Sequence, residues 1–114
     1  MKSNSSQIQI LSKLIKEKKL EEIVDYCDDI LKNEPNNLLL LKIKAHATYE
    51  IGKIPAFNIV LNCIEKILEI SPDDMESLIL QIKTLRRLDR IDEAKISLEF
   101  AGEIEPDNPH FLIQ

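Results

Sequence analysis

Three prolines fix the frame into which the rest of this chain must fit. The tetrapeptides EPNN at 34–37, SPDD at 71–74 and EPDN at 105–108 place Pro35, Pro72 and Pro106 at separations of 37 and 34 residues. Proline lacks an amide proton and disfavours helix in the residue before it, so each of these positions ends a helix. The Asn and Asp residues that follow accept hydrogen bonds from the unpaired amides at the start of a new helix. Each tetrapeptide is thus a stop followed by a start, and the chain divides into units of similar length.

Inside the units the apolar residues recur at helical spacing, as Ile8, Leu11, Leu14 and Ile15 show. The pattern breaks once per unit, at 17–19, 52–55 and 89–90, then resumes, so each unit reads as a helical hairpin. The second helices keep one phase. Leu20, Ile23, Val24, Cys27, Ile30 and Leu31 correspond to Phe57, Val60, Leu61, Ile64, Ile67 and Leu68, and unit three supplies Ile91, Ala94, Leu98, Ala101 and Ile104. One hairpin cannot cover both of its apolar faces. Stacked hairpins can, at about 1.5–3 kcal/mol for each large side chain removed from water. Unit two carries three additional residues around 53–56, and Pro55 suits the first turn of a helix, which predicts a longer interhelix loop or an extended first turn there.

A helix–turn–helix unit of about 34 residues closed by proline resembles the tetratricopeptide repeat, and the resemblance spans nearly the whole chain. Its motif alanine is met by Ala94 but replaced by Ile23 and Val60. Its small residue in the first helix is met by Ala45 but replaced by Leu11 and Ile82. The glycine before the second helix survives as Gly52, with Lys18 and Asp89 in its place elsewhere. The expectation is an all-α, right-handed α-solenoid of three antiparallel helix-turn-helix repeats in a single domain over 1–114. Repeat 1 covers about 4–37, repeat 2 about 38–74 with the insertion near 53–56, and repeat 3 about 75–108. Residues 109–114 read as the start of a truncated fourth unit or a tail. One position that is a core leucine in the family is Lys44 and Gln81 here, and neither can be buried without a partner or a route to water.

The resemblance also implies a concave groove lined by the first helices. Carried over, it receives Ser5, Ile8, Ser12, Ile15 and Lys16 from unit one, Leu39, Lys42, His46, Tyr49 and Glu50 from unit two, and Glu76, Ile79, Lys83, Arg86 and Arg87 from unit three. Basic side chains outnumber acids in this set, although the chain carries a net charge of −5. The expected function is a scaffold or adaptor that binds a protein or peptide segment, acidic or phosphorylated in one version, through Lys16, Leu39, Lys42, His46, Tyr49, Ile79, Lys83, Arg86 and Arg87. The competing reading is that these charges are merely solvated. The carboxylate clamp that grips chaperone tails is not expected, because its polar positions hold Ile8, Ser12, Ile43, Glu76 and Leu80.

Other classes find less support. His46, His110, Cys27 and Cys63 fall in no triad or metal spacing, which argues against an enzyme and against a metal or other cofactor. The two cysteines read as small core residues. Negative net charge and few aromatic residues argue against nucleic acid. A polar beginning and a longest leucine run of 38–41 argue against a secretion signal or a membrane span, and imply a cytoplasmic setting, with the nucleus open. Self-association is the main alternative function. The segment PHFLIQ at 109–114 resembles the opening of a further unit, so an uncapped last repeat would pair with another copy, or the chain would be a fragment of a larger scaffold.

Overall fold

The computed structural model describes residues 3–107, with side chains from Ser6 onward; the 109–114 segment and the side chain of Ser5 lie outside the described residues. The described chain is six helices: α1 (Ser3–Lys16), α2 (Leu20–Leu31), α3 (Leu38–Ile51), α4 (Ile54–Ile70), α5 (Met75–Arg87) and α6 (Ile91–Ile104). They form three pairs stacked along a body of 44 × 29 × 23 Å.

The helix boundaries follow from the turn chemistry. Asn37 and Asp74, the last residues of the first two proline tetrapeptides, accept hydrogen bonds from the amides of Leu40 and Ser77 and so cap α3 and α5. Asn108, the equivalent residue of the third, lies outside the described residues. Inside each pair, one residue at the same repeat position turns the chain with a left-handed backbone: Lys18 at φ 55°, Gly52 at 76° and Asp89 at 60°. Around Lys18 and Asp89 the last helical carbonyls are closed off in the same way. Lys19 donates to Leu14 and Arg90 donates to Leu85 across five residues, at 3.0 and 2.8 Å. After Gly52 the chain enters α4 at once. This is the longest helix, at 17 residues, and Pro55 sits in its first turn, where an absent amide proton costs nothing.

The core runs through the stack as three clusters. Leu11 packs with Ile23, Cys27, Leu40 and Ala47. Leu41 and Ala45 of α3 meet Val60, Cys63, Ile64 and Ile67 of α4 and Leu80 of α5. Leu78 and Ile82 meet Ala101. Ala45, small and fully buried, lets α3 and α4 approach closely, whereas the equivalent residue of α1 is the larger Leu11. The two polar residues at the usual leucine position each reach across to a second helix. Lys44 lies 2.6 Å from Asp28 on α2, and the Gln81 side-chain oxygen accepts from the Ser97 hydroxyl on α6 at 2.8 Å. Among the described residues no buried side-chain nitrogen or oxygen lacks a partner. No described helix is long and apolar enough to cross a membrane.

Candidate functional site

The first helices of the three pairs, α1, α3 and α5, share one open side of the stack. Two cavities lie along it. The larger, about 430 Å³, is walled by Ile15, Leu20, Ile23, Leu39, Ile43 and Ala47, with Lys18, Lys42, His46, Glu50 and Glu76 around them. The smaller, about 290 Å³, is bounded by His46, Tyr49, Glu50, Glu76, Ile79, Leu80 and Lys83. His46, Glu50 and Glu76 belong to both, so the two form one trough with a polar waist between an apolar end and an end rimmed by Lys83. The apolar end lies where the backbones of α1 and α3 stand apart, with Leu11 of α1 joining Leu40 and Ala47 of α3 in the core beneath. The gap leaves Ile15 and Leu39 about half exposed, at 49% and 55%.

The trough holds Leu39, Lys42, His46, Tyr49, Ile79 and Lys83 of the residues expected in a groove. Lys16, Arg86 and Arg87 are exposed and line neither cavity. Of the neighbours named with them, Ile8 lines a separate cavity of about 420 Å³ between α1 and the start of α3. Ile43 stands at one of the positions named for the clamp, but the apolar walls from Leu20 and Ile23 were not legible as groove residues. Their spacing marks them as core, and they reach the trough only because α1 stands off.

Charge in the trough is less basic than its composition suggests. The Lys42 ammonium lies 2.7 Å from the Asp74 carboxylate, which also accepts from the amide and hydroxyl of Ser77. His46 Nε2 lies 3.3 Å from a Glu76 carboxylate oxygen. Lys83, Arg86 and Arg87, by contrast, have no ion-pair partner among the described residues. Lys18 at the apolar end is unpaired as well, but the three unpaired cations close together in sequence are those at the C-terminal end of α5. There the Arg87 guanidinium lies over two rings, 5.0 Å from the centroid of Phe57 and 5.9 Å from that of Tyr49. The rings themselves are 5.6 Å apart and tilted by 44°. No group of three His, Cys, Asp or Glu side chains suited to a metal ion occurs among the described residues.

The first tetratricopeptide-repeat domain of Spaghetti (RPAP3), solved bound to the HSP90 peptide SRMEEVD, is similar in structure over 93% of this chain and 84% of that one, with a TM-score of 0.75. The fold is that of a tetratricopeptide-repeat domain. Sequence identity to that domain is 19%. No family model matches the chain, and no curated protein matches it.

Within the tetratricopeptide stack, the positions where a chaperone-tail clamp would carry lysine, arginine and asparagine are occupied differently. Ile8, Ser12 and Glu76 are exposed, Ile43 is half-buried and Leu80 is buried against α4. None of the five can offer the paired cations that such a clamp uses to hold a terminal carboxylate.

Proposed function

We propose that this chain is a peptide-binding interaction module, a scaffold or adaptor without catalytic activity, whose partner segment lies along the α1–α3–α5 trough. The observation that carries the reading is the division of that trough. The Ile15–Leu39–Ile43 end suits one apolar anchor residue of a peptide, and the unpaired Lys83 at the other end suits an acidic one. The similar domain holds an acidic peptide. This chain departs from the clamp positions, so the proposed ligand is an internal acidic segment with an apolar anchor in place of a chaperone tail. Such a module belongs in the cytoplasm or nucleus.

A fluorescence-anisotropy titration with peptides that vary the anchor and the acid separately tests this. Leu39→Glu is expected to abolish capture of peptides that carry the anchor, and Lys83→Glu to weaken acidic peptides more than neutral ones. Retained binding in both variants would place the ligand elsewhere.

The second reading, self-association through the last pair, is favoured by α6, which leaves Ile91, Ile96 and Phe100 at 43%, 66% and 44% exposure. Sedimentation at increasing concentration reads it directly, and a monomer throughout would remove it.

A further inference from the structure

The corner where α5 ends against the α3–α4 turn adjoins the Lys83 end of the trough and is built differently from it. Arg87, on the last turn of α5, sets its guanidinium carbon over Phe57, a ring only 2% exposed, and over the half-buried Tyr49. A guanidinium carries five N–H donors in its own plane, and none of those of Arg87 is taken by a hydrogen bond or an ion pair among the described residues. Lys83 stands one helical turn back along α5 and Arg86 is adjacent. The dipole at the end of α5 accounts for some positive charge here. It does not account for an arginine set over two rings with its donors unused, when Lys42 and His46 in the neighbouring trough are each tied to a carboxylate.

We infer that the Arg87–Lys83–Arg86 corner is a phosphate-reading subsite, which takes a phosphorylated side chain of the peptide bound in the trough. Three unpaired cations call for more than one negative charge. A phosphoryl group brings close to two at neutral pH, with three acceptor oxygens, where a carboxylate brings one charge and two. The planar edge of Arg87 offers two parallel donors to adjacent phosphoryl oxygens, and Lys83 supplies a point charge to the third. Tyr49 and Phe57 are positioning residues. They hold the fork in place and spare the ligand the loss of freedom a loose arginine would suffer on binding. The inference rests on the proposed use of the trough by a peptide, and it names what that peptide carries.

The test uses three matched peptide libraries with a leucine anchor at fixed distance from a serine, an aspartate or a phosphoserine, titrated against the 114-residue protein. Phosphoserine peptides are expected to bind about tenfold more tightly than their aspartate counterparts, the size of one additional charge-assisted hydrogen bond. Arg87→Lys keeps the charge and removes the fork, and Tyr49→Leu keeps every charge and loosens the platform. Each is expected to bring phosphoserine and aspartate peptides close to equal, read as the ratio of the two affinities within one variant. Equal affinity for phosphoserine and aspartate in the wild type overturns the phosphate assignment and leaves the acidic-peptide reading standing. Binding of no library overturns both. A separate readout needs no peptide. Phenyl phosphate is expected to move the Arg87 Nε–H resonance saturably, and movement matched by chloride at equal ionic strength overturns the subsite on its own.

Discussion

The Lys42 ammonium on α3 lies 2.7 Å from the Asp74 carboxylate that caps α5, so one contact joins the trough wall to the start of the next unit. Burial acts to raise the Asp74 pKa, but the hydrogen bonds from Lys42 and Ser77 outweigh it and hold the group below the usual carboxylate range. A carboxyl that is more acidic in the folded than in the unfolded chain contributes stability above its unfolded value of about 3.9, and that contribution is lost as pH falls through the lower folded value. Asp74→Asn keeps a capping oxygen and removes the charge. Urea denaturation is expected to show it less stable by about 1 kcal/mol at neutral pH, with the difference from wild type closing as pH falls from 4 towards 2. A difference that does not change with pH would mean the charge has no part.

Lys44 and Asp28 form a second cross-helix pair, unequally covered. Burial pulls the Lys44 pKa down, and its hydrogen bond to Asp28 with the charges nearby more than reverses this, so the ammonium is favoured. The Lys44 side chain is 20% exposed and that of Asp28 46%. Removing the carboxylate strands the more buried partner, whereas removing the ammonium leaves a carboxylate that water can reach. Asp28→Ala is therefore expected to cost about 1–2 kcal/mol and Lys44→Met less than half of that, read as denaturation midpoints. The reverse order would show that the lysine stem matters more than its charge.

Lys18, Gly52 and Asp89 share a left-handed backbone, and only one of them is glycine. Lys18→Gly is expected to stabilise by about 0.5–1 kcal/mol. Asp89→Gly should gain less, because aspartate tolerates this conformation better. Gly52→Ala is expected to cost about 1 kcal/mol from the backbone alone. A Cβ there would meet its nearest atom, the Glu50 carbonyl oxygen, at an unstrained 3.6 Å. Thermal melts of the three variants check the set, and a destabilised Lys18→Gly would contradict it.

Both thiols are free and buried. Burial, reinforced by the charge of Asp28, pushes the Cys27 thiol up to about 11. Alkylation at neutral pH is expected to leave Cys27 and Cys63 unmodified in the folded protein and to proceed at the rate of unfolding. Rapid labelling of the native state would show that the α2–α3–α4 core opens locally.

The hairpin order was legible because its signals are local. A proline, a capping Asn or Asp and a helical period each act within one turn of the chain, and Lys18 and Asp89 align with Gly52 by repeat position alone. The electrostatics of the trough were not legible. Lys42 meets Asp74 and His46 meets Glu76 across about thirty residues of intervening helix, at a register set by how α3 leans on α5. The sequence therefore counts Lys42 and His46 as available where the fold has already given each a carboxylate partner. Phe57 shows the same limit. Its period marks it as core, and it is core, yet the face it leaves uncovered is where Arg87 rests.

Among its described side chains α1 buries only Leu11 completely, while Ile8, Ile10 and Ile15 stay about half exposed. A helix with one fully buried anchor among its described side chains has little burial to hold it closed. That helix is also a wall of the apolar cavity. A peptide that touches Ile15 and Leu39 together would stitch α1 to α3, and its affinity would carry the entropy lost in stilling that helix. Occupancy would then be felt as stiffness at the opposite end of the domain from the arginine corner, in slowed amide exchange along α1.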